Sequence, residues 1–536
     1  MSRVIYSCGA NGNGQLGIGR SDVPLLPEFT QVQLPLGEEP ILAIAGGYHS
    51  VAVTRSGKVF TWGMNKHGEL GHAVDVMATQ SVPLRVRLPA TEDYPTQHKT
   101  KDGDMKIMSA AAGEAHTVLL TTTGTVLTFG ANSVGQLGRP LNADEPTHQP
   151  LAVDFANSTV MLRSSMPISQ VFCGPQTSFA VTPSGHLFGW GGSTSGELGI
   201  TQPIVATPRP ITLPSSLHHT YKVVRVAAGC AHTLLMTSTG ECFVAGDNSE
   251  GQLGIGSVSS SPHWRGIRHA KNLRAIATNN SQSFFLTQSG IISECGTASV
   301  KSVDPSSTPK VPMTTPDLIY DLTGVEFAGA TAAGNGVLLW TAGGEIYVRG
   351  TNHRGQLGIG QVAAIPSFTK ISKSKLDTII TKDGKYTGGR LTAVSLGKAH
   401  TLALFACKSM SNSNLTESSS SGVELLKSPT DDSSPEFPTF DAGGLDVNSS
   451  SDEHDLAARS NTGELNKSCI DDVMNLSFSR SRAPAQSFAA ANGSRPMEDS
   501  PKSKAGSPLG GIVVVSGLCA LTAAAVAFVL TKRRNQ

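Results

Sequence analysis

The sequence has little of what marks extracellular, nucleic-acid-binding or metal-dependent proteins. Charged residues make up 15% of the 536 residues and aromatic residues 5%, and the formal net charge of +1 gives no general attraction to nucleic acids or acidic surfaces. The 8 cysteines stand singly, without C-x-x-C pairs or histidines at metal-ligand spacing. We therefore expect buried thiols in a reducing, cytosolic setting, with no cofactor, metal ion or nucleic acid bound.

Two further absences narrow the function. Residues 1–9 lack the apolar segment and cleavage site of a secretory signal peptide, so we expect none. Neither a Ser/His/Asp order nor a pair of carboxylates stands out, so we expect no chemical catalysis and no enzyme. Glycine is abundant instead, with 57 residues, which is typical of a fold with many tight turns.

One glycine cluster, residues 12–17, matches the G-x-G-x-x-G pattern of phosphate-binding loops. A dinucleotide fingerprint must open a helix, but no apolar period of a helix follows this cluster. Its second half recurs along the chain as G-[QE]-L-G, without the first glycine of the fingerprint. The match is therefore an accident of one copy. Six copies of the G-[QE]-L-G motif begin at Gly14, Gly68, Gly135, Gly196, Gly251 and Gly355.

Each motif belongs to a longer unit made of extended segments. In the clearest copy, 226–254, two apolar strands flank a T-x-x-G turn at 237–240, and the motif follows the second strand. Matching glycines recur at intervals from 50 residues (Gly246 to Gly296) to 67 residues (Gly63 to Gly130). Such a period, built from strands alone, predicts a β-propeller.

Counting the half-units sets the number of blades. Second halves begin at 5, 59, 126, 187, 242, 292 and 346, and first halves lie around 49, 116, 177, 232, 282, 336 and 400. The chain starts with a second half, and its periodic region ends with a first half. We therefore predict an all-β, seven-bladed propeller over residues 1–407, closed by the N-terminal strand, because closure removes an exposed sheet edge.

The repeat resembles that of the regulator-of-chromosome-condensation family, most clearly in AAGCAHTLLMTSTGECFVAGDNSEGQLG (227–254). The resemblance covers about residues 1–407. The sixth copy departs from it, because KSVD (301–304) stands where the G-[QE]-L-G motif is expected. The repeat histidine is also uneven: it is present as His49, His116, His232 and His400 and replaced by Thr177, Gln282 and Gly336.

These histidines recur once per blade, so they cannot converge on one metal ion or substrate. We expect buried imidazoles that hold neighbouring backbone. Function is expected where the repeat is interrupted, above all in the longest insert, 72–106; a second long connection spans 139–168. A solvated loop is the alternative to a partner-binding loop at 72–106. The candidate binding residues are Arg85, Arg87, Tyr94, Lys99, Lys101 and Asp102.

The sequence changes character after the repeats. Residues 408–508 are rich in Ser, Asn, Pro and Asp, which predicts a disordered linker. Residues 509–531 include an uncharged run, 512–530, which as a helix would measure about 28 Å and cross a thin bilayer. A short basic tail, 532–536, follows. In this run a stripe of small residues, Ser516, Ala520 and Ala524, is a candidate for weak dimerisation.

We interpret the run as a transmembrane tail anchor with the propeller facing the cytosol. The basic tail conflicts with the positive-inside rule, but a large N-terminal domain without a signal peptide would not cross the membrane. A short, Ala-rich span flanked by basic residues resembles anchors of the mitochondrial outer membrane. The endoplasmic reticulum is the alternative.

The resemblance implies two kinds of function. Founding members of the family catalyse nucleotide release from the small GTPase Ran, using one propeller face and an inserted wedge, whereas other members are protein-binding platforms. Exchange residues lie in loops and cannot be carried over to this chain one by one. We predict a membrane-anchored recruiting or regulatory platform, with a small GTPase as a candidate partner. The alternatives are a guanine-nucleotide exchange factor for a Ran-like or other small GTPase, and a chromatin-associated regulator, which the membrane span disfavours.

Overall fold

The computed structural model describes residues 2–74, 77–89, 105–141, 147–155, 167–214, 221–297, 312–382 and 385–409. These residues form seven four-stranded sheets. The first strand of each sheet contacts the first strand of the next, so the sheets stand as blades around a ring. The predicted all-β, seven-bladed propeller is confirmed.

The blades are numbered by the half-unit that supplies their third strand, and all strand pairs are antiparallel. Blade 1 joins β1 (Ser2–Ala10) and β2 (Leu25–Val32) to the last two strands, β27 (Tyr386–Leu396) and β28 (His400–Ser409). Blade 2 contains β3 (Pro40–Ala45), β4 (His49–Thr54), β5 (Val59–Met64) and β6 (Thr79–Arg85). Blade 3 contains β7 (Ile107–Ala112), β8 (His116–Thr121), β9 (Val126–Gly130) and β10 (Leu151–Ala152).

The other four blades repeat this order. Blade 4 contains β11 (Gln170–Cys173), β12 (Thr177–Val181), β13 (Leu187–Gly192) and β14 (Ile204–Ile211). Blade 5 contains β15 (Val223–Ala228), β16 (His232–Thr237), β17 (Cys242–Gly246) and β18 (Ser261–Gly266). Blade 6 contains β19 (Leu273–Thr278), β20 (Gln282–Thr287), β21 (Ile292–Gly296) and β22 (Met313–Leu318). Blade 7 contains β23 (Phe327–Ala333), β24 (Gly336–Thr341), β25 (Ile346–Gly350) and β26 (Ile365–Ile371).

Blade 1 closes the ring with strands from both ends of the repeat region. β1 pairs with β28 from Ser2 opposite Cys407 to Gly9 opposite His400, and β2 then pairs with β1. The N-terminal segment therefore contributes two strands rather than the single predicted strand. The β28 strand also runs two residues past the predicted boundary at 407, to Ser409.

The T-x-x-G turns join the second and third strands of blades 2 to 7. In blade 2, the Gly57 N–H donates to the Thr54 carbonyl at 2.9 Å, and the Thr54 N–H donates to the Lys58 carbonyl at 3.0 Å. Gly57 has φ 85°, a left-handed conformation that favours glycine. A Cβ at Gly57 would also meet Lys106, which precedes the first strand of blade 3. Gly57 therefore allows both the tight turn and the close packing of blade 3 against it.

The two ends of the strands define two faces of the ring. We call the loop face the side of the G-[QE]-L-G motifs, where His49 pairs with Gly63. We call the turn face the opposite side, which carries the T-x-x-G turns and the connections between blades. Both faces consist of loops and turns, and the strands of each blade run from one face to the other. The first strand of each blade is its inner strand, nearest the axis of the ring.

Among the described residues, two short helices accompany the strands. The α1 helix (Lys373–Thr381) begins after Ser372, whose Oγ accepts from the Lys375 N–H at 3.3 Å, and its Leu376 and Ile380 pack into the core beside blade 1. A 3-10 helix spans Tyr320–Leu322. Within the described ranges no helix is long and apolar enough to cross a membrane, and the predicted span 509–531 lies outside them.

Candidate functional site

The repeat histidines lie between blades and are fully buried. Burial lowers the pKa of His49 and His232 to about 4 and that of His116 and His400 to about 3, because a charged imidazole would lose its hydration. All four rings are therefore neutral at pH 7. A neutral, dehydrated ring at each of four separate interfaces is a structural group rather than a shared catalytic base.

Each of these histidines takes part in the same three-group relay. His49 Nε2 of blade 2 lies 3.0 Å from Thr117 Oγ1 of blade 3, and this hydroxyl donates to the Glu69 carbonyl of the blade 2 motif at 2.9 Å. Since the hydroxyl proton is directed to the carbonyl, the imidazole must donate from Nε2. The relay joins two blades through a polar contact that leaves no charge in the interior.

Three more relays have the same order of histidine, hydroxyl and motif carbonyl. They are His116 with Ser178 (2.9 Å) and Gln136 (2.8 Å), His232 with Ser283 (3.0 Å) and Gln252 (2.7 Å), and His400 with Ser50 (2.7 Å) and Gln15 (2.9 Å). The imidazoles thus reach the motif backbone through a hydroxyl. The sequence carries a signal that could have revealed this partner, because Ser or Thr follows every repeat histidine.

The repeat glycines and leucines support the same interfaces. The first glycine of every motif has positive φ, between 71° at Gly355 and 82° at Gly135, and a Cβ at Gly14 would meet the backbone of Gln80 and Ser81 in blade 2. Every motif leucine is fully buried, as Leu16 and Leu70 illustrate. These residues shape the ring and leave no group free for chemistry.

Interfaces without a repeat histidine differ from one another. Between blades 4 and 5, Thr177 occupies the histidine position and Thr233 the hydroxyl position, and both hydroxyls are buried without a hydrogen-bond partner among the described residues. Between blades 6 and 7, Arg349 of β25 forms an ion pair with Glu294 of β21, and both residues are 6% exposed. Arg349 Nη1 lies 3.1 Å from Glu294 Oε1, and a second contact joins Nη2 to Oε2.

Aromatic rings enclose this ion pair. The Arg349 guanidinium lies 4.4 Å from the ring centre of Phe368 and 5.9 Å from that of Phe284. Neither Arg349 nor Glu294 was singled out by the repeat pattern, since the pair occurs at one interface and has no counterpart elsewhere in the repeat.

The described residues offer no catalytic arrangement. They contain no group of three or more His, Cys, Asp or Glu side chains that could hold a metal ion. Burial raises the pKa of Cys8, Cys173, Cys242 and Cys295 well above the ordinary thiol value, so these thiols are not nucleophiles at neutral pH.

The predicted partner-binding insert is interrupted by a strand. Residues 79–85 form β6, the outer strand of blade 2, so 72–106 is not one continuous insert. A loop-face segment precedes β6, and a turn-face connection to blade 3 follows it. Arg85 ends β6 and Arg87 lies just beyond; both are exposed. Tyr94, Lys99, Lys101 and Asp102 lie outside the described residues.

On the loop face, charged side chains near the inner strands are paired across blades. Lys398 Nζ of blade 1 lies 2.5 Å from Glu114 Oε1 of blade 3. Arg354 of blade 7 donates to the Tyr48 hydroxyl of blade 2 at 3.0 Å and stacks on its ring. The first contact joins blades 1 and 3 and the second joins blades 7 and 2, so this rim is a pre-organised surface.

Residues 2–300, more than half of the chain, match the family model for the RCC1-like domain. The ultraviolet-B receptor UVR8 of Arabidopsis thaliana is 31% identical over 257 residues, which cover 48% of this chain and 52% of that receptor. The regulator of chromosome condensation of Homo sapiens is 28% identical over 298 residues, covering 47% of this chain and 70% of that protein. The chain therefore spans about half the length of the first relative.

A solved structure has the same fold. Prp20p from Saccharomyces cerevisiae, described together with its binding to Gsp1p and histones, has a TM-score of 0.62 at 20% identity, over 77% of this chain and 93% of Prp20p. At this identity the likeness concerns the fold. Since the family model covers more than half of the chain and agrees with its repeat and its seven blades, the chain belongs to the RCC1-like domain family.

Proposed function

We propose that this protein is a membrane-anchored interaction platform whose propeller recruits or regulates partner proteins, with a small GTPase as a candidate partner. One observation carries the proposal: the polar repeat residues are used between blades, where His49 bonds to Thr117 and Thr117 to Glu69. The ring is thereby a rigid scaffold, and its exposed loops are the part available for recognition.

The turn-face connection after β6 is the proposed docking region. Arg85 and Arg87 are exposed at its start. Exposed arginines at the end of a rigid strand can pair with carboxylates without a large loss of conformational freedom.

Proximity labelling tests this proposal. The full chain would be fused to a promiscuous biotin ligase and compared with an Arg85→Glu/Arg87→Glu variant and an Arg20→Glu/Arg209→Glu control, whose exposed arginines lie elsewhere on the ring. We expect a set of proteins labelled by the wild type and the control but not by the first variant. Identical sets from all three chains would count against the docking region.

Guanine-nucleotide exchange is the second candidate. It is favoured by membership of a family that includes proteins named regulator of chromosome condensation. Release of fluorescent GDP from a panel of small GTPases by the full chain separates the two candidates. Acceleration of one GTPase by orders of magnitude would favour an exchange factor, and no acceleration across the panel would favour the platform.

The membrane anchor is part of the proposal. Residues 512–530 carry no charge and have the length of a bilayer core. We expect the full chain to remain in membranes after alkaline extraction and a 511–530 deletion to be released. We further expect protease added to intact mitochondria to digest the propeller. Release of the wild-type chain by alkali would contradict the anchor, and co-fractionation with the endoplasmic reticulum would favour the alternative membrane.

A further inference from the structure

A segment of blade 5 exposes a regular row of positive charge. In residues 261–274, SPHWRGIRHAKNLR, Arg or Lys occurs at every third position from Arg265 onward, and Asp and Glu are absent. The apolar residues keep the same spacing, and all of them are buried: Trp264, Ile267, Ala270 and Leu273. The buried side chains therefore fix the backbone, while Arg265, Arg268 and Lys271 remain exposed.

These cations differ from those of blade 2. There, Arg55 pairs with Glu39 at 2.6 Å and Lys58 with Glu38 at 2.5 Å. By contrast, Arg265, Arg268 and Lys271 form no ion pair with any residue in the described part of the chain. We call these three residues the basic strip. An unpaired row of cations on a rigid support is a surface prepared for an anionic ligand.

The basic strip leads into a cleft on the turn face. Lys271 borders a shallow cleft of about 350 Å³, and Lys222 adds a second exposed cation. The cleft also presents the hydroxyls of Ser238 and Thr239. Its carboxylate, Glu241, accepts a hydrogen bond from Thr239 Oγ1 at 3.0 Å, so this acid is held on its own turn.

The backbone at the end of the strip has an unusual conformation. Asn272, next to Lys271 and also bordering the cleft, has φ 54°, and no other non-glycine residue in the described ranges has positive φ. Its carbonyl accepts the Gln288 N–H at 2.8 Å. The surrounding hydrogen bonds thus maintain a conformation that costs free energy, at the point where the strip meets the cleft.

We propose that the basic strip, together with Lys222, binds an extended, Asp/Glu-rich segment of a partner protein. The inference rests on the proposed function, because it identifies the chemistry of one partner of the platform. Six residue steps of at most 3.6 Å limit the distance from Arg265 to Lys271 to about 22 Å, so an extended peptide of about seven residues is long enough to reach all three cations. Hydroxyls in the cleft would pair with its backbone.

Two other anionic partners fit the surface less well. Binding to an anionic membrane is strengthened by exposed apolar side chains beside the cations, but this segment buries Trp264, Ile267, Ala270 and Leu273. Single-stranded nucleic acid would require aromatic rings free for stacking, whereas Tyr221, the aromatic residue of the cleft, packs edge-on against Phe243 with ring centres 4.8 Å apart.

Fluorescence anisotropy of a fluorescein-labelled peptide of alternating Glu and Ser residues tests the proposal on the full chain in non-ionic detergent. The Arg265→Gln/Arg268→Gln/Lys271→Gln variant should raise the Kd about tenfold at low salt. A matched control, Arg20→Gln/Arg55→Gln/Lys370→Gln, removes three cations that already pair with carboxylates, and its Kd should stay near the wild-type value. Binding should weaken as salt is added.

Three results would contradict binding of an acidic peptide by the basic strip. Equal weakening by the two triple variants, or equal affinity for a Gln/Ser peptide, would overturn the proposal. The third is that oligothymidylate or phosphatidylserine vesicles bind more tightly than the peptide, with a loss of that binding in the strip variant. That result would show that the partner of the basic strip is not an acidic protein segment. A Lys222→Gln/Lys271→Gln variant provides an independent check on the cleft. The proximity labelling above does not depend on these residues, so failure of the strip proposal leaves the platform proposal standing and the two failures can be told apart.

Discussion

Blade 6 meets its two neighbours through different chemistry. Toward blade 5, Ser283 lies between the His232 ring and the Gln252 carbonyl, at 3.0 and 2.7 Å, and every group is neutral. Toward blade 7, Glu294 forms a buried ion pair with Arg349. The same sheet thus buries polar groups at both of its interfaces. On one side they form a neutral relay, and on the other they form a pair of opposite charges.

The difference follows from the missing motif. The relay needs a motif carbonyl as its final acceptor, and the sixth copy has KSVD at 301–304 in place of G-[QE]-L-G. Both other relay positions are changed at this interface: Gln282 replaces the histidine and bonds to Asn279 and Thr297 of its own blade, and Val337 replaces the hydroxyl residue. At this interface all three relay positions are changed together, and the ion pair of Glu294 and Arg349 takes their place.

Acid should have the largest effect, and it should act on the neutral relays. The four histidines have folded pKa values of about 3 to 4 against an unfolded value of 6.5, so the unfolded chain binds more protons below pH 6.5. Their stabilisation is complete above pH 6.5 and is lost as the pH falls toward 4. Glu69 and Glu197, with pKa values raised to about 7, offset about half of this proton uptake. Stability should therefore fall by about 3 kcal/mol per pH unit between pH 6 and 5.

Urea unfolding at several pH values measures this slope. A His400→Gln variant places glutamine at the blade 1–2 interface, as blade 6 does with Gln282. It removes one of the groups that take up a proton on unfolding, so the dependence of stability on pH should become shallower by about 1.4 kcal/mol per pH unit. Hydrogen exchange at pH 5 should also rise in β8, next to a relay, before it rises in β24. An unchanged slope in His400→Gln would mean that this ring does not remain neutral in the fold.

Breaking the ion pair should have the next largest effect. Glu294→Leu leaves the Arg349 guanidinium buried without its counter-charge, and we expect a loss of about 3–5 kcal/mol in the free energy of unfolding. Glu294→Leu combined with Arg349→Met should recover most of that loss, since an apolar pair of similar size needs no compensation. Denaturant unfolding of the wild type, Glu294→Leu, Arg349→Met and the double variant provides the test. A double variant as unstable as the sum of its single variants would show that the two charges act independently.

A matched pair of threonines tests the relay itself. Thr117→Val removes a hydroxyl that joins His49 to Glu69, and the two buried groups left without partners should cost about 2–3 kcal/mol. Thr233→Val makes the same change at the interface between blades 4 and 5, where the hydroxyl has no partner, and should be neutral or slightly stabilising. Thermal unfolding of both variants suffices. Equal losses would assign the cost to packing rather than to the hydrogen bonds.

The sequence predicts what recurs and misses what occurs once. Seven copies of each half-unit were enough to predict the blade number, because identical local rules act in every blade. The sequence predicted the histidines of the relay but not their hydrogen-bond partners. Each Ser or Thr partner lies in the next blade, so only the folded ring brings the two residues together. Arg349 and Glu294 carry no repeat signal, because their pairing depends on how two particular blades pack. The basic strip has a period of three, which strand and helix patterns do not detect.

Glu69 is a buried carboxylate that forms no ion pair with any described residue, unlike Glu294. Glu69 occupies the Gln position of the blade 2 motif, where its Oε2 accepts the His67 N–H at 2.7 Å and its Oε1 has no partner among the described residues. Burial raises its pKa to about 7, although backbone hydrogen bonds and the charge of Lys66 act in the opposite direction. A raised folded pKa becomes a cost as the pH passes the unfolded value near 4.5, and the cost is complete once the pH passes 7. Glu69→Gln keeps the hydrogen bond and removes the charge, so it should stabilise the chain by about 3 kcal/mol at pH 8 and by about 1 kcal/mol or less at pH 5. Glu197→Gln should repeat this result in blade 4. A gain of equal size at both pH values would assign the effect to packing, and the buried charge would then have no part in it.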